Sequence, residues 1–339
     1  MKRLHSKIVA GALAAGVSLL MLTGCSAKPH SSQHGPMLMT AWVADWDAES
    51  GREDGEKIRH DLRSMVYFRT YFTDGDKIVI PDSLLSLKGS RSLERPGEYL
   101  SFTNDFVPGK GTAVQKDLAV LQRVLKDEPS MNAHVAELVR LTKEKGFNGI
   151  ELDYERVFKD EALAKKFVWL ISKLQYAAVK NDLKLRVVLE PSADVSLDYC
   201  KGPDYVVMLY NLYGLHSGPG PKADFAFIAK TLKKMRQLPG NVEAAVSTGG
   251  CLWEESGKKR FITEAEAAAM AKEQEAKPAR DDDSGVLHFS FRNRAGQKTE
   301  VWYADETTLN MWLNEIEANG IKSVNIWRLG GNLSLAGVK

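Results

Sequence analysis

Gly146-Phe147-Asn148-Gly149-Ile150-Glu151-Leu152-Asp153-Tyr154-Glu155 is the stretch on which the reading of the fold turns. Gly146 stands where an amphipathic helix over 131–145 has to end, and the residues after Gly149 alternate apolar and acidic with the period of a strand. In that period Glu151, Asp153 and Glu155 project to one face, while Ile150, Leu152 and Tyr154 project to the other, toward helices. Three acids in file in a confined, low-dielectric space raise one another's pKa, so at least one carboxyl keeps a proton near neutrality. A solvated acidic edge strand has the same alternation. The helical segments on both sides place this strand inside a sheet, where inward acids are costly unless they do chemistry.

Outward from this stretch the same rhythm recurs. Short β-rich runs lie at 38–44, 64–71, 98–103, 149–154, 185–190, 205–210, 242–247 and 323–327. Apolar residues at helical spacing occupy 114–126, 131–145, 161–181, 224–237 and 306–319, and Gly320, like Gly146, precedes a strand. Alternating strands and helices around a parallel sheet predict an α/β fold, a (β/α)8 TIM barrel. About seventy-five residues separate the seventh and eighth strands, more than a barrel loop and its helix need. They hold a helix over 263–275, an acidic turn at 281–284, and two alternating runs, 286–291 and 299–303, joined around Gly296. This predicts a small α+β insertion at about 251–303.

The N-terminus bears on compartment. Lys2, Arg3 and Lys7 precede a short apolar run over 8–22, and Leu22-Thr23-Gly24-Cys25 follows at once. That is the layout of a secretory signal, and its ending resembles a bacterial lipobox, which implies that residues 1–25 end in an acylated Cys25. An ordinary signal peptide or an N-terminal membrane helix is the alternative, although the run is shorter than the roughly 20 residues a span needs. Residues 26–36, rich in Ser, His, Gly and Pro, read as a flexible tether, and 37–339 as the barrel domain. The expectation is an extracytoplasmic protein of the cell envelope, held to a membrane by its lipid. Lys and Arg number 46 against 44 Asp and Glu, a net +2 that gives no reason to expect nucleic acid as a partner. Cys200 and Cys251 remain, and an exported chain offers them the chance of a disulfide. No Cys/His spacing resembles a zinc site, and no cofactor is called for. Oligomeric state is not encoded in any feature of the chain.

A protonated carboxyl at the C-terminal mouth of a barrel strand is what glycoside cleavage needs as general acid. Glu155, last of the row, lies nearest that mouth. Trp42, Asp45 and Trp46, in or just after the first strand, are placed to line a sugar groove, or equally to pack a barrel rim. Asn104 and Asp105 follow the third strand and are placed for substrate contact. Glu190 ends the fifth strand, and would serve as a nucleophile if it faced Glu155 at about 5 Å. Tyr210 and Trp327 end later strands, where each equally suits a buried core position.

The acidic strand resembles the catalytic strand of the chitinase-like glycoside hydrolase family 18, whose pattern is Asp-Gly-x-Asp-x-Asp-x-Glu. Here it reads Asn148-Gly149-Ile150-Glu151-Leu152-Asp153-Tyr154-Glu155. Met208-Leu209-Tyr210-Asn211 is similar to the family's Met-x-Tyr-Asp, and Ile326-Trp327-Arg328-Leu329-Gly330 resembles the strand bearing the Trp that floors the sugar pocket. The Trp-Arg-Leu-Gly form, and the hairpin carrying Val301-Trp302-Tyr303, look most like the bacterial branch that acts on peptidoglycan and spore cortex. The resemblance spans nearly the whole mature chain. It implies a retaining, substrate-assisted hydrolase of N-acetylglucosamine-containing polymer, in which the sugar's own acetamide oxygen attacks C1. Glu155 is then the general acid and base, Asp153 holds the acetamide N–H and Tyr210 its oxygen. Trp327 lies under the reacting ring, with Glu151, Asn211, Trp42 and Asp105 as further substrate-binding positions. Asn148, Glu151 and Asn211 depart from the pattern and motivate an alternative, a glycan-binding lipoprotein with weakened catalysis. A third reading is a substrate without any N-acetyl group.

Overall fold

A computed structural model describes residues 37–339 except 59, 91 and 92. The signal-like segment with Cys25 and the tether over 26–36 lie outside the described residues. In chain order the strands are β1 (Leu38–Ala44), β2 (Leu62–Thr73), β3 (Lys77–Val79), β4 (Gly97–Phe106), β5 (Gly149–Asp153), β6 (Lys184–Leu189) and β7 (Asp204–Met208). They continue with β8 (Asn241–Ser247), β9 (Gly249–Glu254), β10 (Lys259–Ile262), β11 (Ala279–Arg280), β12 (Leu287–Arg292), β13 (Lys298–Ala304) and β14 (Ser323–Trp327). The helices are α1 (Ala48–Lys57), α2 (Asp82–Lys88), α3 (Leu118–Val124), α4 (Glu128–Glu144), α5 (Glu161–Lys180), α6 (Phe225–Met235), α7 (Glu264–Glu273) and α8 (Glu306–Ala318).

The parallel order β1-β14-β8-β7-β6-β5-β4-β2, closed by pairing of β1 with β2, makes the eight-stranded barrel that the alternation predicts. Each barrel strand has two faces. Outward residues such as Ile150, Leu152, Val187 and Val207 join the apolar layer beneath the helices. Tyr154, also outward, reaches α4, where its hydroxyl lies 2.7 Å from His134 Nε2. The inward face carries a smaller apolar set, Trp42, Val66, Tyr99, Val188, Val206, Met208, Tyr210 and Ala245, among polar groups. Asp127, Asp160, Asp224 and Asp305 cap α4, α5, α6 and α8 by accepting from backbone N–H groups of the first turn, so the βα loops end in helix-starting acids. Gly146 and Gly320, at φ +70° and +77°, end their helices in the left-handed conformation.

The insertion between β8 and β14 is an antiparallel sheet of order β10-β9-β13-β12-β11 with α7 packed on it. The predicted helix and hairpin are both present, but the insertion begins earlier than expected. β9 starts at Gly249, two residues after the barrel strand ends. Two barrel helices escape the periodicity reading. α1 buries Gly51, Asp54 and Gly55 rather than an apolar stripe, because it packs so close to β1 that a Cβ at Gly51 would sit 2.8 Å from Val43. α2 spans only seven residues. Cys200 and Cys251 are both free thiols, so the disulfide open to them is not formed.

Candidate active site

β5 ends at Asp153, and the backbone that follows is pinned by its neighbours. Asn104, in β4, accepts from the Glu155 N–H at 2.9 Å and donates to the Glu155 carbonyl at 3.1 Å. Arg156 then takes a left-handed φ of 64°, and its N–H donates to Glu190 at 2.6 Å. The turn is thereby fixed from both flanking strands, and Glu155 is aimed into the barrel mouth. Glu190 is engaged at the turn and does not line the cavity there, so it stands as a positioning group rather than as a second carboxylate facing the substrate.

That mouth is a cavity of about 510 Å³. Asp153, Glu155, Tyr210 and Trp327 line it together, with Trp42, Trp46, Asp105 and Asn211. Trp327 meets Phe68 edge-on at 4.7 Å and Trp42 at 5.8 Å, giving an aromatic wall with the shape that suits the apolar face of a sugar ring. Phe261, Ile262, Thr263 and Glu266 of the insertion complete the rim. Asn211 adopts φ 67°, which an asparagine tolerates better than most side chains. Asp105 has both oxygens engaged, one by Arg69 and one by the Lys116 N–H at 2.9 Å.

Glu151, Asn148 and Asp45 lie away from the cavity lining. Glu151, expected to bind substrate, is fully buried one layer below, where Trp42 Nε1 donates to it at 2.7 Å and Arg186 Nε at 3.3 Å. Two residues deeper than Asp153 along the strand, it lies beneath the cavity and is not part of its lining. Asn148 sits at the opposite end of β5, accepting from Glu98 N–H and donating to Pro96, each at 2.8 Å. Its departure from the family pattern therefore leaves the cavity unchanged. Asp45 bonds Ser83 and is not part of the lining.

The electrostatics follow from depth. Burial pushes the Asp153 carboxyl well above the usual range, and the charges of Glu155 and Glu151 push it further. Its Oδ1 is buried with no partner among the described residues. Glu155 is also raised, by burial first, but Lys116 opposes the shift through its charge and a direct bond from Nζ. Both carboxyls are thus raised, and the cation bonded to Glu155 opposes the rise there while none is bonded to Asp153. Tyr210 is raised well above 10, chiefly by burial, so its hydroxyl remains a donor. Lys116→Met removes the group that holds Glu155 down, so the Glu155 pKa rises. Titration of the Glu155 carboxyl followed by NMR should show that rise in Lys116→Met; an unchanged or lowered value would show that Lys116 does not govern this acid.

Three contributors were invisible to the sequence reading. Lys116 lies in a loop without pattern, and Arg69 follows the inward Phe68 where β2 turns irregular. Arg186 is 2% exposed and bridges Glu151 and Glu243, with Asn325 as a third partner. Its inward place in the alternation of β6 was the one available signal.

The chain is 29% identical over 231 residues to a Bacillus subtilis (strain 168) protein named as an uncharacterized glycosylase, YvbX. The matched region covers 63% of this chain and 66% of that protein's length. No family model matches the sequence. Among solved structures, the spore cortex-lytic enzyme SleL of Bacillus cereus superposes with a TM-score of 0.73 at 15% identity, covering 89% of this chain and 73% of that one. A chitinase from Chromobacterium violaceum gives 0.70 at 18% identity, covering 89% and 98%. These likenesses are at the level of the barrel fold.

Proposed function

We propose that the protein is a retaining glycoside hydrolase that cleaves β-linked N-acetylglucosamine-containing glycan with help from the substrate's own acetamide. The observation that carries the reading is the convergence of Asp153, Glu155, Tyr210 and Trp327 on one cavity. The names of the similar proteins, a glycosylase, a cortex-lytic enzyme and a chitinase, support it.

In this reading the sugar ring lies against Trp327, with its acetamide between Asp153 and Tyr210. The orphaned Asp153 oxygen accepts the amide N–H, and the Tyr210 hydroxyl donates to the acetamide oxygen. Glu155 delivers a proton to the leaving oxygen as the acetamide oxygen attacks C1, then takes one from the water that opens the cyclic intermediate. Because Glu190 is engaged at the Arg156 turn, the attacking group is left to the substrate. Purified peptidoglycan and N-acetylglucosamine oligomers incubated with the protein should yield new reducing ends, identified by mass. A thiazoline mimic of the bicyclic intermediate should inhibit the reaction. If neither substrate is cut, the hydrolase reading falls, and saturable binding without cleavage would favour the glycan-binding alternative. Cleavage that the thiazoline does not inhibit would point to a substrate lacking the acetamide.

The same reading places the protein in the cell envelope, outside the cytoplasm, anchored through lipid on Cys25. Cys25→Ser should move the chain from the membrane to the soluble fraction; a variant that still sediments with membranes would exclude the anchor.

A further inference from the structure

The cavity lining includes four cations, Arg69, Lys116, Lys222 and Arg328. Three face a carboxylate: Arg69 pairs with Asp105, Lys116 with Glu155, and Arg328 with Asp47 at 2.6 Å. Lys222 is different. Its ammonium donates to Ser247 Oγ at 2.9 Å and to the Thr248 carbonyl at 3.0 Å, both neutral oxygens, and lies over the Phe261 ring at 5.3 Å. Among the described residues the structure pairs it with no carboxylate.

We propose that Lys222 is an anion-recognition residue of this cavity, and that the glycan it takes carries a carboxylate on the sugar beside the reacting N-acetylated ring, as the lactyl ether of N-acetylmuramic acid does. The inference rests on the cavity being a glycan site. It selects, within that reading, an anionic substrate over a neutral one.

The acids Asp105, Asp153 and Glu155 stand at the ends of β4 and β5. Lys222, in the loop after β7, is fastened to the end of β8, and Arg328 follows β14. The remaining lining acid, Glu266 of the insertion, is bonded by Arg260 at 3.0 Å, so the cavity's uncompensated positive charge stands at Lys222, apart from Asp105, Asp153 and Glu155. A half-buried cation bonded only to neutral oxygens loses hydration without gaining a counter-charge. Burial, and then the like charge of Arg328, push Lys222 down to about 8, so the ammonium is still the main form at neutral pH. An ammonium has three N–H groups; two are committed to Ser247 and Thr248, which leaves one for a ligand. A carboxylate arriving there forms a charge-assisted bond in a site already oriented, whereas a neutral N-acetylglucosamine ring offers only a hydroxyl.

The test is calorimetric titration of the full chain carrying Glu155→Gln, which prevents turnover, with two tetrasaccharides. One is the N-acetylglucosamine tetramer; the other alternates N-acetylglucosamine with N-acetylmuramic acid bearing free lactyl carboxylates. The anionic tetrasaccharide should bind at least about tenfold more tightly, the worth of one hydrogen bond to a charged group. Lys222→Met should collapse that preference toward unity, Lys222→Arg should retain most of it, and added salt should erode it. Absence of a preference, or an equal loss for both sugars in Lys222→Met, overturns the proposal, the latter because Lys222 would then only tether its loop to β8. The two readings fail separately. Wild-type protein that prefers the anionic sugar through Lys222 but cleaves neither probe keeps this inference and loses the hydrolase. Protein that cleaves both with equal kcat/KM does the reverse.

Discussion

Replacing Glu155 by glutamine lowers glycan hydrolysis by about 10²–10⁴-fold and leaves the barrel folded, the range expected when a positioned general acid is removed. The amide keeps the size of the side chain and the backbone clamp from Asn104, which bonds main-chain atoms only. What is lost is the proton. The deficit in kcat/KM, which reads the first bond cleavage, should therefore depend on the leaving group, large for a sugar alcohol and small for a nitrophenol that departs without protonation. The value of kcat stays low for both, because the base that activates water is also gone. Asp153→Asn provides the contrast, because a group that holds the acetamide is needed whatever leaves, so its loss should be similar for both substrates. Initial rates on the two substrates, with near-ultraviolet circular dichroism as the check on folding, decide the matter. Equal activity of Glu155→Gln and wild type on the natural linkage would remove Glu155 from the chemistry.

Substitution at Asp153 also has a consequence for stability. Its folded-state pKa is raised, so its contribution to stability is fully present below the ordinary carboxylate range and is lost as pH rises through the elevated value. An asparagine cannot ionise, and Asp153→Asn should melt higher than wild type in alkaline buffer, with the gap closing in acid.

The barrel was readable in the chain because its strands have two different faces. Ile150 and Leu152 against Glu151 and Asp153 show the alternation, and Gly146 with Gly320 mark where helices stop. α1 was not readable, since Gly51, Asp54 and Gly55 bury by smallness and hydrogen bonding rather than by an apolar stripe. β9 escaped for a related reason. It opens with Gly249-Gly250, a poor strand signal, yet a Cβ at Gly250 would stand 1.8 Å from the Trp302 carbonyl, so only glycine lets β9 lie against β13. At the site, Asp153, Glu155, Tyr210 and Trp327, expected at or just after strand ends, line one cavity. Lys116, which holds Glu155 down, was not readable, because ion pairs across loops have no period. Glu151, expected to bind substrate, is on the expected inward face but fully buried and outside the cavity lining, because side-chain period gives direction and not access to solvent.

That depth is where the second large effect is expected. Arg186 is the single cation in a buried group with Glu151 and Glu243, so one guanidinium serves two carboxylates, and burial already pushes Glu151 upward. Arg186→Met preserves most of the volume but leaves both acids without a counter-charge, which should cost about 3–5 kcal/mol of unfolding free energy near neutrality, read from urea midpoints. With the guanidinium gone the Glu151 pKa rises further, so the variant's deficit should shrink as pH falls toward the ordinary carboxylate range and the acids take up protons. Adding Glu151→Gln should recover part of the loss at neutral pH by removing one of the stranded charges. A pH-independent deficit would mean that Arg186 acts through packing, for instance over the Tyr99 ring at 5.1 Å, rather than through charge. The network also reaches the catalytic floor, since Glu151 is bonded to Trp42, whose ring abuts Trp327. Below its melting range Arg186→Met should therefore also lose kcat/KM, and Glu151→Gln, which retains an acceptor for the indole N–H, should lose less.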